Sequence, residues 1–322
     1  MSLPGSRRST GGIWKFWALW LVYQSIGRLP LRARYAVADY LADAVYRLAP
    51  GIRESLRHNM RLALGPGASP EAVDRAARQA ARHTGYYYAD LIAIPRMDLD
   101  GFLRTRLVIE GVEALRAAAA TGKGVVLASA HYGNPEIAVQ GLAALGIRVF
   151  ALTEPLQPRQ LSDLTHRLRE AHGHIYRTAN FDGVKEAIRR LRSGEIVAVL
   201  FDRDIQGTGI LVPFRGRLVR APTGAIDLAL RTGATVFPAM VRRTGRYTLH
   251  AALGPPMPLI LAGNRDEDLR ANLARLMALF EAHMAPDPGQ WTVVERIVYQ
   301  DLPAPANLPP GDDEARVTPA VQ

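Results

Sequence analysis

The stretch Gly122-Lys123-Gly124-Val125-Val126-Leu127-Ala128-Ser129-Ala130-His131-Tyr132-Gly133-Asn134-Pro135-Glu136 decides how the rest of the chain is read. Gly124 closes a turn, and Val125 to Ala130 is a short apolar run of the kind a buried parallel strand uses. A polar elbow follows. Asn134 is a good helix N-cap and Pro135 suits the first helical position. Glu136 then falls in the first turn of a helix carrying Ile137, Leu142 and Leu145. The segment reads as strand, elbow, helix, with His131 leaving the strand at its carboxyl end.

On one continuous helix, residues five apart lie about 140° from each other, so His131 and Glu136 can meet only across the elbow. There the spacing predicts a hydrogen bond between imidazole and carboxylate. A carboxylate on one ring nitrogen fixes the tautomer and leaves the other nitrogen to take a proton from a substrate hydroxyl. His131 is thus the candidate general base and Glu136 its orienting acid. Spacing alone is weak evidence: with 8 His and 30 acidic residues in 322 positions, roughly 0.7 such pairs arise by chance. The competing reading is a His that caps a strand while Glu136 favours a helix dipole. The strand, elbow and N-cap around the pair give the catalytic reading its weight.

Beyond Gly122, apolar runs alternate with helical periodicity. Candidate strands are Val125 to Ala130, Arg148 to Thr153, Ile175 to Arg177, Ile196 to Phe201, Thr235 to Val241 and Tyr247 to Ala252. Helical stretches at 136–145, 158–172, 183–192 and 222–231 lie between most of them. This order predicts an α/β fold: a mixed, largely parallel central sheet flanked by helices, with ligands gathering at strand carboxyl ends. Three further features sit at such ends or beside them. Glu154 follows Ala151-Leu152-Thr153, and Asp202-Arg203-Asp204 follows a buried run, where three adjacent charges exceed what a turn requires. Arg169 lies in a basic helix with Arg159, His166 and Arg167, from which one guanidinium could hold an anionic substrate group. The Gly-rich stretch from Gly207 to Arg220 reads as a hairpin or lid over the same face, and residues 266–284 as an amphipathic helix.

Before the sheet, 32–48 and 70–94 repeat apolar and Ala positions at helical spacing and predict a helical layer. Tyr86-Tyr87-Tyr88 lies in the second of these. Three adjacent rings cannot share one face, so the core takes some and a lipid groove could border others. Residues 1–12 are polar and basic. Ile13 to Leu31 then concentrates Trp14, Phe16, Trp17, Trp20 and Tyr23, a density that suits a membrane interface. Its apolar core is shorter than the ~20 residues a spanning helix needs, and the nearby Ala36-Val37-Ala38 lies too far on, and among too many arginines, for a signal-peptidase site. The expectation is a membrane-associating helix over 1–31, one catalytic domain over 32–301, and a disordered Pro- and acid-rich tail over 302–322.

Composition narrows the partners. A chain of 322 residues that is 48% hydrophobic can bury a large core, and the absence of Cys removes disulfides, thiolate zinc sites and cysteine nucleophiles. A formal net charge of +10 implies an acidic partner: nucleic acid, anionic lipid or an acidic carrier protein. Nucleic acid lacks a second supporting motif. The membrane surface has one in the aromatic segment.

Taken together, these motifs resemble the bacterial lipid A biosynthesis acyltransferases, within the wider lysophospholipid acyltransferase superfamily. His131-Tyr132-Gly133-Asn134-Pro135-Glu136 is similar to the family's His, four variable residues, then an acid. Asp202-Arg203-Asp204, Pro213-Phe214-Arg215-Gly216, the run from Thr223-Gly224 to Ala234, and Pro288-Gly289-Gln290-Trp291 follow in the family's order. The resemblance implies acyl transfer from acyl-ACP or acyl-CoA to a glycolipid hydroxyl at the cytoplasmic face of the inner membrane, with no bound cofactor and no metal. It extends to the phosphatidylinositol mannoside acyltransferases, in which positions matching Glu154, Arg169 and Asp202 belong to the site. Arg203 and Asp204 join them as candidate substrate-binding residues, while Asp202 either supports His131 or binds sugar hydroxyls. Backbone N–H groups near Asn134, or an arginine, would hold the oxyanion. Departures occur at Pro135, Val293 and Glu295, where other residues are common, and they bear on the identity of the acceptor. A non-catalytic glycolipid-binding protein is the alternative, separated from an enzyme by whether an acyl donor is consumed.

Overall fold

The computed structural model describes residues 13–204 and 207–301; the basic start at 1–12 and the tail at 302–322 lie outside the described residues. Four helices come first: α1 (Ile13–Ser25), α2 (Leu31–Leu48), α3 (Pro50–Leu64) and α4 (Pro70–Leu91). After them come α5 (Leu99–Thr105), β1 (Leu107–Glu110), α6 (Val112–Ala120), β2 (Val125–Ser129), α7 (Pro135–Ala144), β3 (Phe150–Thr153), α8 (Arg159–Arg169), β4 (Ile175–Thr178), α9 (Phe181–Arg192) and β5 (Ile196–Leu200). A hairpin of β6 (Ile210–Phe214) and β7 (Arg217–Ala221) leads to α10 (Gly224–Thr232), β8 (Thr235–Arg243), β9 (Leu249–Leu253), α11 (Arg265–Met284) and β10 (Tyr299–Asp301).

The main sheet has the order β1-β9-β8-β2-β5-β3-β4. Its strands are parallel except at the β8–β9 step, so β1 and β9 run against the other five. β2 sits at the centre and is buried along its whole length, as its unbroken apolar run requires. One face packs on α10 and α11 through Val126, Ala128, Val197, Leu273 and Phe280. The other carries Leu127, Leu142, Phe237 and Leu253 beneath α6 and α7. This is the expected α/β architecture, and the expected helical layer precedes it.

One expectation changes and one stands. The stretch from Gly207 to Arg220 does contain a hairpin, but it is no lid: β7 pairs with β10 and β6 to form a separate three-stranded sheet. Its tip is held by the Arg215 guanidinium, whose Nε donates to the Ala63 carbonyl at 2.7 Å, and by the Arg215 amide, which donates to Glu281. The N-terminal helix α1 has 13 residues, and no helix among the described residues is long and apolar enough to cross a membrane. Trp17, Trp20 and Leu21 are exposed on it.

Candidate active site

The elbow after β2 is built as its residues dictate. The Asn134 side chain accepts from the Ile137 amide at 3.2 Å and caps α7, with Pro135 in the first turn. Its amide group donates to buried Asp90 at 3.0 Å, which also takes Tyr35, Arg106 and Arg243. Gly133 turns the chain at φ +68°, where a Cβ would lie 2.5 Å from the Val241 carbonyl oxygen; only glycine fits both the dihedral and the space. The far side of the elbow is strapped by residues 290–292. The Gly133 amide donates to Gln290 O at 3.1 Å, and the Thr292 amide donates to His131 O at 2.8 Å. That use of the Gly133 N–H removes one donor expected for an oxyanion.

The expected contact between His131 and Glu136 is absent. His131 Nδ1 lies 2.9 Å from Asp202 Oδ1, and the His131 amide donates to Asp202 Oδ2 at 3.0 Å. Trp291 Nε1 also donates to Oδ2, at 2.7 Å. The reason is register. Ser129 on β2 pairs with Leu200 on β5, so His131 and Asp202, each two residues further on, emerge side by side. Burial works against the charge on Asp202. His131 and the two N–H donors outweigh it and hold the carboxyl below its usual range. The ionised carboxylate accepts Nδ1–H and leaves Nε2 as the nitrogen available to a substrate.

Glu136 faces the other way. Its Oε2 lies 2.8 Å from Arg169 Nε and accepts from the Tyr87 hydroxyl at 3.1 Å, while Oε1 accepts from the Tyr176 hydroxyl at 2.9 Å. Arg169 Nη2 donates to the Tyr87 oxygen at 2.9 Å. Burial raises the Tyr87 and Tyr176 hydroxyl pKa values, and the Glu136 charge raises them further. Burial disfavours the Arg169 cation, yet Glu136 and the two tyrosines keep its pKa above the usual arginine value. A carboxylate placed in the first turn of α7 is therefore committed to Arg169 and two tyrosines rather than to His131.

His131 and Glu136, with Arg169, Tyr87 and Tyr176, line one cavity of about 890 Å³ at the strand carboxyl ends. Glu154, Arg203 and Asp204 line it too. Arg203 is ion-paired with Glu154 and Glu295 together. Burial pushes the Glu154 carboxyl up, opposed by the Arg203 charge. Asp204 turns its oxygens to the amides of Gly207 and Gly209, at 3.0 and 2.8 Å, and so shapes its own loop. Of the tyrosine triplet, Tyr86 is core, while Tyr87 and Tyr88 border the cavity. Sequence reading missed the roles of Trp291, Tyr87, Tyr176 and Glu295. A buried indole N–H or phenol needs a partner, but nothing local in sequence names it. No group of three or more potential metal-ligating side chains is present among the described residues.

Fold and site together describe an α/β protein with an imidazole–carboxylate dyad over an apolar cavity, an arrangement suited to general-base chemistry on a lipid-sized substrate. The chain belongs to the family described as bacterial lipid A biosynthesis acyltransferase, whose model matches residues 6–297. It is an acyltransferase, and the family implies a lipid acceptor and an acyl donor. Relatives include the phosphatidylinositol mannoside acyltransferase of Mycobacterium tuberculosis strain CDC 1551 / Oshkosh, 27% identical over 94% of both chains. The protein of the same description from Mycolicibacterium smegmatis is 29% identical over 61% of this chain and 65% of its own length.

Proposed function

We propose that this acyltransferase moves a fatty acyl group from a thioester donor, acyl-ACP or acyl-CoA, to a hydroxyl of a membrane glycolipid, with His131 as general base. His131 Nε2 takes the hydroxyl proton as the oxygen attacks the thioester carbonyl. The tetrahedral intermediate collapses by breaking the C–S bond, and the imidazolium returns the proton to the departing thiolate. Asp202 holds the ring in the reactive tautomer and stabilises its cation. Arg203 is the candidate cation for the developing oxyanion.

The observation that carries the reading is the His131–Asp202 pair, 2.9 Å apart, at the edge of an apolar cavity of about 890 Å³. The descriptions of the relatives support a glycolipid acceptor. Exposed Trp17, Trp20 and Leu21 on α1 and the basic net charge support docking on anionic lipid at the cytoplasmic face of the inner membrane. The test is an assay of purified protein with lipid vesicles, a glycolipid acceptor and an acyl thioester, followed by mass spectrometry. The expected product is the acceptor heavier by one acyl unit, and its absence with every donor sinks the proposal.

A further inference from the structure

Arg169 and Arg203 are the two basic side chains that line the cavity among the described residues, and both are already matched by acids. Arg169 is paired with Glu136. Arg203 carries a carboxylate on each terminal nitrogen, Glu154 on Nη2 and Glu295 on Nη1. Each of these acids uses its Oε2 in the pair, and neither Oε1 has a hydrogen-bond partner among the described residues. In a chain with a formal charge of +10, this corner of the cavity is therefore acidic. Burial pushes the Glu154 carboxyl up; Arg203 and His131 oppose the shift and the Glu295 charge adds to it, so both acids lie within electrostatic reach of one another and of the imidazole. Glu295 stands on fixed backbone. Buried Asn59 of α3 donates to the carbonyls of Val293 and Glu295 at 2.9 and 2.8 Å and accepts from the Ile297 amide at 2.9 Å. Val293 and Ile297 are buried on either side, while the Glu295 side chain lines the cavity and is 55% exposed.

Resting on the acyl-transfer reading above, we infer that Glu295, together with Glu154, receives hydroxyls of the acceptor's sugar head and turns away heads that carry a phosphate beside the reacting hydroxyl. An ionised carboxylate only accepts hydrogen bonds. Two such oxygens without partners call for donors, which sugar hydroxyls supply. A phosphate brings acceptors and negative charge instead, and it would meet two like charges around a guanidinium they already neutralise. Glu295 is one of the positions at which the sequence departs from the family pattern, so the selection it makes belongs to this chain.

The test uses the purified full chain, an acyl thioester and phosphatidylcholine vesicles carrying a hexosyl diacylglycerol or one of its monophosphate isomers. Turnover is read by mass spectrometry and binding by equilibrium titration. The unaltered protein is expected to favour the unphosphorylated head by about tenfold or more in kcat/KM and in binding. Glu295→Gln keeps the shape and removes the charge, and is expected to bring the two heads within about threefold. Glu295→Lys is expected to reverse their order. On the unphosphorylated head the loss shows in KM, because the contact forms in the ground state as well as in the transition state. Thermal melts identify the folded variants, and two substitutions at a half-exposed position keep the test sharp if one of them fails. An unaltered protein that binds both heads alike, or fails to bind the unphosphorylated one, overturns the inference, as do folded variants that keep the parental ratio. An equal loss on both heads carried in kcat also overturns it, since Glu295 would then act only as a brace for Arg203. A binding preference that Glu295→Lys reverses, with no turnover of any head by any thioester, leaves the assignment of Glu295 standing and removes the transfer reading instead.

Discussion

The two residues that open and close the elbow, His131 and Glu136, are five apart in sequence and live in different environments. His131 is partly open to the cavity and has one carboxylate partner, which leaves a ring nitrogen for chemistry. Glu136 has both oxygens engaged by Arg169 and two tyrosines, with its side chain 10% exposed and that of Arg169 11%. One half of the motif is left with capacity to react, and the other has had that capacity used up in holding the wall together. The contrast teaches that a short motif can join a position with a free ring nitrogen to an architectural one.

That division can be broken by experiment. His131→Ala carries the largest expected effect, a loss of three or more powers of ten in turnover with little change in melting temperature. Measurement of kcat beside a thermal melt checks it, and a near-normal rate would remove the base. Asp202→Asn is expected to cost about 10²- to 10⁴-fold, because an amide can favour the wrong imidazole tautomer. If instead Glu136→Gln matched that loss in a protein of unchanged stability, the roles assigned to the two acids would be reversed.

Glu136→Gln should act mainly on stability, by about 3–5 kcal/mol, since it leaves the Arg169 cation buried without its counter-charge. Pairing Glu136→Leu with Arg169→Met should return much of that stability, read by urea unfolding, while activity need not return with it. The smallest effect contrasts His131 with a histidine outside the site. Burial, helped by the Arg243 charge, pulls the His83 ring down to about 4 from 6.5. Between those values the unfolded chain binds the extra proton, so stability rises with pH across the window. His83 accordingly contributes fully above about 6.5, and about 3 kcal/mol is lost as pH falls toward 4. His83→Phe should flatten that slope in urea midpoints taken from pH 7 to 4, leaving the pH profile of turnover where it was.

Much of the fold was legible because it is written locally. The β2 run, the Asn134 cap and Pro135 each state their own conformation, and the alternation after Gly122 leaves few topologies. The short edge strand β1 was not legible, since four residues with exposed Val108 and Glu110 carry too little pattern. The three-stranded sheet escaped for another reason: β10 joins β7 from about 80 residues further along. Of the residues singled out in the sequence, His131, Glu136, Glu154, Arg169, Arg203 and Asp204 line one cavity, and Asp202 lies behind His131. The partner of His131 was not readable from a five-residue spacing. It could have been reached by laying the two apolar runs Val125 to Ser129 and Ile196 to Leu200 in register, which sets His131 against Asp202.

The strap from Gln290 to Thr292 has a consequence for the order of events during synthesis. Trp291 supplies one of the donors that hold Asp202, and Thr292 pins the carbonyl of His131, yet Thr292 lies 161 residues beyond His131. While the ribosome is still making the earlier segments, strand and elbow can form but the dyad lacks its ceiling. The arrangement around Asp202 and His131 is thus completed only once residues 290–292 have left the ribosome.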